Sequence, residues 1–202
     1  GTAGIAENEV AAAAWLTVDL TDAAAAVVGN SFAGFNDVPI VTGAAGAQLE
    51  FANNNVQMHD ASGGGLALED LSQATVTGNT FTATGTPVPD LAALSIFAIT
   101  ETATSITATG NTFIGFVNAL YLEDRNAGTS DFDVTVTGNV FDFPIDADPK
   151  AASLIDIKDE IDARNNVWGT TTDLADLQSY VGYYADTILL GGEILLDPVG
   201  LP

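Results

Sequence analysis

Along this chain apolar and polar positions alternate at period two in short bursts, and the bursts recur. Ala74 and Val76, Ile106 and Ala108, and Val134 and Val136 are the alternating apolar pairs, with threonines between and after them. Each burst runs into a near-identical string: VVGNSF ending at Phe32, VTGNTF at Phe81, ATGNTF at Phe113 and VTGNVF at Phe141. Degenerate copies end at Val10 (IAENEV), Val56 (FANNNV) and Trp168 (ARNNVW). With the asparagine as anchor, the series is Asn8, Asn30, Asn54, Asn79, Asn111, Asn139 and Asn166, at intervals by subtraction of 22, 24, 25, 32, 28 and 27. Intervals of this size are solenoid periods.

The residue before the anchor in the six better copies is Gly29, Asn53, Gly78, Gly110, Gly138 or Asn165, the two residue types that most readily take φ > 0. A left-handed corner is predicted there. It places the anchor asparagines at one corner of successive coils, where side-chain amides can bond into a ladder. Two residues later Phe32, Val56, Phe81, Phe113, Phe141 or Trp168 is predicted to point inward and stack. Further strands are predicted from the pairs Leu16 and Val18, Leu66 and Leu68, Phe97 and Ile99, Leu120 and Leu122, and Ile155 and Ile157. Two strands per coil, in constant order and direction, pair in parallel with the coil above. Loops such as Thr84 to Asp90 and Asp142 to Lys150 absorb the variation in period. After Gly169 the pattern changes to 3.6, with Leu174, Leu177, Val181 and Tyr184 on one helical face and Thr172 as N-cap. A final strand is expected from Gly192 to Pro198.

The GN-x-F coils, and an ending of NNVWG followed by a helix and a strand finishing in Pro198, resemble the right-handed parallel β-helix repeat family of the pectate-lyase-like superfamily. The resemblance runs from about Gly4 to Pro198. The expected fold is therefore an all-β, single-stranded right-handed parallel β-helix, a β-solenoid. It fills residues 1–202 as a single domain, with about six or seven coils up to residue 169 and a capping α-helix and final strand over 170–198.

Charge narrows the possible partners. Lys and Arg number 4 against 27 acids, for a net charge of -23, so nucleic acid, anionic lipid and polyanionic sugar are repelled. No apolar run approaches the length of a membrane span, so no membrane insertion is expected. With Cys at 0, disulfides and thiol chemistry are excluded. The acidic bias also fits marine or hypersaline water, where screening is strong, as well as an ordinary solvated surface.

Candidate chemistry is sparse. Superfamily enzymes cut or isomerise acidic glycans with calcium and a basic residue, or with clustered Asp, His, Arg and Lys. Here the single histidine, His59, sits beside Asp60 in a Gly-rich loop and reads as a surface residue. Arg125 follows two acids and is expected to pair with them; Arg164 is expected to pack over Trp168. Aligned on the second strand, Asp70, Glu101, Asp124 and Asp159 fall at one position of four successive coils, with Glu69 and Glu123 one residue earlier. Like charges about 4.8 Å apart repel by about 3 to 4 kcal/mol at an effective dielectric near 20. Bound calcium would offset this, as would carboxylates splaying into solvent. Thr75 and Thr77, Thr107 and Thr109, and Thr135 and Thr137 stand at equal offsets before three anchors. Such rungs resemble the ice-binding face of some β-solenoid antifreeze proteins, although exposed strand threonines are ordinary.

These features point to a non-catalytic structural or adhesive module, extracellular or at a cell surface, in an appendage or matrix. Calcium is the one cofactor these features suggest. The weak anchor at Asn8 puts the opening residues in mid-coil, so head-to-tail self-association or neighbouring domains of a longer chain are the expected partners. The opposing reading is a polysaccharide-active enzyme, a lyase or hydrolase of acidic glycans. A carbohydrate-binding module is a third, favoured if aromatics cluster outward around Tyr121.

Overall fold

The computed structural model describes residues 2–11, 17–20, 23–35, 39–43, 46–58, 64–84, 92–100, 103–126, 128–143, 150–169, 174–179, 181–184 and 193–198. Across these residues the protein is an all-β parallel β-solenoid. Every pairing between described strands is parallel, and strands pair with their counterparts one turn earlier and one turn later.

One turn crosses three faces: Gln73–Thr77 on the first, Thr80–Ala83 on the second and Ala92–Ala98 on the third. The expected two strands become three because the apolar residue after each anchor lies on a short strand of its own. Four turns are fully developed, opening at Gln48, Gln73, Ala103 and Asp131, with third-face strands of four to seven residues. This gives about four turns, against the six or seven expected. Before Gln48 the described parts of the third-face strands, Thr17–Asp19 and Ile40–Thr42, are 3 residues each. Counting anchors counts one corner per coil and is blind to the third face.

That corner is built as its residues dictate. Gly29, Asn53, Gly78, Gly110, Gly138 and Asn165 all have positive φ, between 54° and 70°. The turn they make brings the anchors into one column. Asn79 Nδ2 donates to Asn111 Oδ1 at 2.9 Å, and the Asn79 backbone N–H donates to the same oxygen at 3.0 Å. The second Nδ2 proton goes back to the Phe51 carbonyl at 2.8 Å. The same link joins Asn8 to Asn30, Asn30 to Asn54, Asn54 to Asn79, Asn111 to Asn139 and Asn139 to Asn166. From Asn30 to Asn166 the anchors are at most 2% exposed. Each interior amide thus spends both donors and accepts twice, which is what a buried amide requires.

Inside the corner the aromatic rings stack at the rung spacing. Phe81 and Phe113 lie 4.9 Å apart, Phe113 and Phe141 5.1 Å, and Phe141 and Trp168 4.8 Å, all within 16° of parallel. Val56 interrupts the column, and Phe51 on the neighbouring strand supplies the next ring, 6.0 Å from Phe81. Each such contact adds about 0.5–1.5 kcal/mol beyond burial.

Two sequence expectations give way beyond Trp168. Among the described residues the helix spans Leu174–Ser179, and Leu174 is 41% exposed, so the expected capping face is not seen there. Val181–Tyr184 is instead a strand, paired in parallel with Ala152 to Ile155. Val and Tyr favour strands, Gly182 weakens a helix, and the third sheet offers an edge whose backbone groups need partners. The last strand, Glu193–Pro198, pairs with the strand that ends at Trp168. Thr172, Leu16 and the His59 loop lie outside the described residues.

Candidate functional site on the outer face of the third sheet

The third sheet takes a register different from the one the alternation implied. Leu94 pairs with Leu66 and Leu120, and Ile96 with Leu68 and Leu122, so these point inward. Phe97 and Ile155 are therefore half-exposed on the outer face rather than in the core. A shift of one residue moves a side chain from one face to the other. The strings LALED, LSIFA and LYLED contain the true register, since Leu66, Leu94 and Leu120 align in them.

This register takes apart the expected acid column. Along one line on the outer face stand Asp19, Thr42, Glu69, Phe97, Glu123 and Ile155. Acids occupy alternate rungs, with Thr42 and Phe97 between them. Glu69 and Glu123 are thus two rungs apart, about 10 Å, and their repulsion is halved or better. The next residues, Asp70 and Asp124, flank Ala98 in the same way. Asp159 lies off this line, and Glu101 lies outside the described residues.

Hydrogen bonding accounts for the three aspartates. Asp70 has φ 52° at a second left-handed corner; its Oδ1 accepts the N–H groups of Ile99 at 2.6 Å and Thr100 at 2.8 Å. Asp124, 1% exposed, accepts the backbone N–H of Asn126 at 2.7 Å and of Ser130 at 2.8 Å. Asp159 accepts the N–H of Phe132 at 2.7 Å. Asp70 and Asp124 thus cap bend and turn amides, and Asp159 takes an amide at the start of the strand Asp131–Thr137. Among the described residues no three acidic or histidine side chains converge to hold a metal ion.

What the register does assemble is an aromatic and charged cluster. Phe97 and Tyr121 stand 5.6 Å apart with planes tilted by 45°. The Arg125 guanidinium lies over the Phe97 ring at 4.7 Å, and its Nε pairs with Glu123 Oε2 at 3.1 Å. The Tyr121 hydroxyl donates to the same Oε2 at 3.3 Å. Burial, and then the Glu123 charge, hold the Tyr121 phenol above its ordinary range. Arg125 thus meets one of the two expected acids, while Asp124 beside it serves a turn. Sequence reading missed Phe97 as a surface residue because Leu94, Ile96, Phe97 and Ile99 make both phases of the strand look apolar.

The other outer faces are simpler. Thr75, Thr107 and Thr135 share one register line and Thr77, Thr109 and Thr137 the next; Glu50, Ala52 and Asp162 stand on the flanking rungs. Arg164 pairs with Asp162 at 2.9 Å rather than packing over Trp168, and this holds the Asp162 carboxyl below its ordinary value. No helix among the described residues is long and apolar enough to cross a membrane.

Comparison with protein-family models, curated proteins and solved structures gives no match. The fold and the cluster stand on their own geometry.

Proposed function

We propose that this protein is a non-catalytic structural or adhesive solenoid module of a cell surface, appendage or matrix, acting outside the cytoplasm. In this reading the coil is right-handed, as in the pectate-lyase-like repeats its sequence resembles, and it meets head to tail with a second copy or with neighbouring coils of a longer chain. The carrying observation is the asparagine ladder, which runs unbroken from Asn8 to Asn166. The side chains that could have suggested chemistry belong to the same scaffold: Asp70, Asp124 and Asp159 bind backbone amides.

A stiff rod with a decorated face suits display and adhesion. A glycan-binding role is favoured by one feature, the Phe97 and Tyr121 pair on the outer face beside Glu123 and Arg125. Two measurements test the proposal. Electron microscopy of the native material is expected to show filaments, sheets or a surface layer. Incubation with uronate polymers is expected to give no new unsaturated or reducing ends. Release of such ends would establish the enzyme reading instead.

A further inference from the structure

We propose that Tyr121, Phe97, Glu123 and Arg125 form a subsite for one ring of an uncharged glycan. The inference rests on the glycan-binding role proposed above and gives it residues and a ligand class.

The four groups are held together before any ligand arrives. Ser95 pairs with Tyr121 and Phe97 with Glu123, so the aromatic pair and the carboxylate share the outer face on adjacent rungs. The Arg125 backbone N–H donates to the Ala98 carbonyl at 2.8 Å, which fixes the guanidinium beside the same strand. Glu123 Oε2 then ties the Tyr121 hydroxyl and Arg125 Nε together, at 3.3 and 3.1 Å. A planar guanidinium carries five N–H donors, and here only Nε goes to Glu123. Preorganised polar groups around an apolar surface are what recognition of a small polar ring needs.

Size and charge select the ligand. The cluster occupies two adjacent rungs, about 5 Å apart, the width of about one sugar ring, whereas a stable protein interface needs about 800 Å² per partner. A pyranose offers C–H groups on its faces and hydroxyls at its edge. The first match the ring of Tyr121, and the second match the carboxylate acceptor and guanidinium donors. With 27 acids against 4 Lys and Arg, the surface disfavours uronate or sulfated chains, leaving neutral ones. Glu69, next to Phe97 on the rung before, extends the acceptor row toward a second ring.

The test is affinity electrophoresis of the whole chain through gels containing neutral glycans (β-glucan, xylan, mannan or chito-oligosaccharide) or polygalacturonate. Backbone NMR shifts locate the site, and thermal melting checks each variant. At least one neutral glycan is expected to retard the protein, and polygalacturonate is not. For that glycan Tyr121→Ala and Arg125→Gln each lose about tenfold in affinity, while Tyr121→Phe, which keeps the ring, stays within about threefold. If Tyr121→Ala fails to fold, Arg125→Gln and the NMR shifts decide. Neutral-glycan binding with unchanged affinity in the folded variants overturns the subsite and leaves the glycan role standing. Retardation by no neutral glycan, or by polygalacturonate alone, overturns both.

Discussion

Asn79 hands two protons to a single atom, Oδ1 of Asn111, one from its backbone N–H and one from its side-chain amide. Asn111 passes the arrangement on to Asn139 and sends its other amide proton to the Val76 carbonyl at 2.8 Å. Asn111→Ala therefore takes partners from buried groups on the turns to either side, Asn79 N–H, Asn79 Nδ2 and the Val76 carbonyl on one and Asn139 Oδ1 on the other. The expected loss is about 3–4 kcal/mol, since each stranded group costs about 1–3 kcal/mol and the losses are not additive. Urea unfolding gives the magnitude, and amide exchange should quicken first at Asn79 and Asn111. A loss under about 1 kcal/mol would mean that the ladder is incidental to stability.

Glycines of equal φ sign separate by what surrounds them. A Cβ on Gly115 would stand 2.4 Å from the Ala83 carbonyl oxygen, whereas one on Gly138 would meet nothing within 4 Å. Gly138→Ala should cost about 1 kcal/mol, the strain of a non-glycine left-handed residue, and Gly138→Asn less, since Asn53 and Asn165 already hold that corner. Gly115→Ala adds a backbone clash and should cost at least about 2 kcal/mol more. Thermal melting of the three variants ranks them, and equal melting temperatures would refute the distinction.

Alkaline titration reports on the third-sheet cluster. Tyr121 should ionise above the ordinary phenol value of 10.0, because burial and then Glu123 oppose the phenolate. The folded pKa being the higher one, any stability it contributes is complete below the unfolded pKa and is lost as pH rises through the folded one. Ultraviolet difference titration should place Tyr121 later than an unperturbed phenol, and Glu123→Gln should bring it earlier. A Tyr121 that titrates no later than free tyrosine would show that the cluster is open in solution.

Salt should stabilise the fold. A net charge of -23 on a rod a few rungs long repels itself, and raising sodium chloride from about 10 mM to about 1 M shortens the screening length from about 30 Å to about 3 Å. A gain of about 1–2 kcal/mol, or about 2–8 °C in melting temperature, is expected by circular dichroism. A flat or falling curve would show that the acids are already compensated.

Legibility in the sequence followed conformational restriction. The corner before each anchor could be read because φ > 0 admits few residue types, and glycine or asparagine stands there at six corners. The stacked rings after the anchor could be read for a related reason, a large apolar residue at fixed offset. The second corner was hidden, because aspartates hold it: Asp70 and Asp156 take positive φ without a glycine to mark the place. The phase of the third strand was hidden too. Ile96 and Phe97 are both apolar, and only pairing with Leu68 and Leu122 decides which one is buried. The candidate cluster depends on that phase, so it could be seen only once the partner strands were in place. The acid column failed for the same reason, by a slip between neighbouring coils.

The ladder also has a direction. In every link the lower-numbered asparagine gives and the higher-numbered one receives. A coil copied and inserted in frame would arrive with a donor facing its successor and an acceptor facing its predecessor, and no neighbouring turn would need redesign. Lengthening by tandem duplication is thus chemically permitted at each of these corners, whereas an inverted turn would set acceptor against acceptor and be rejected.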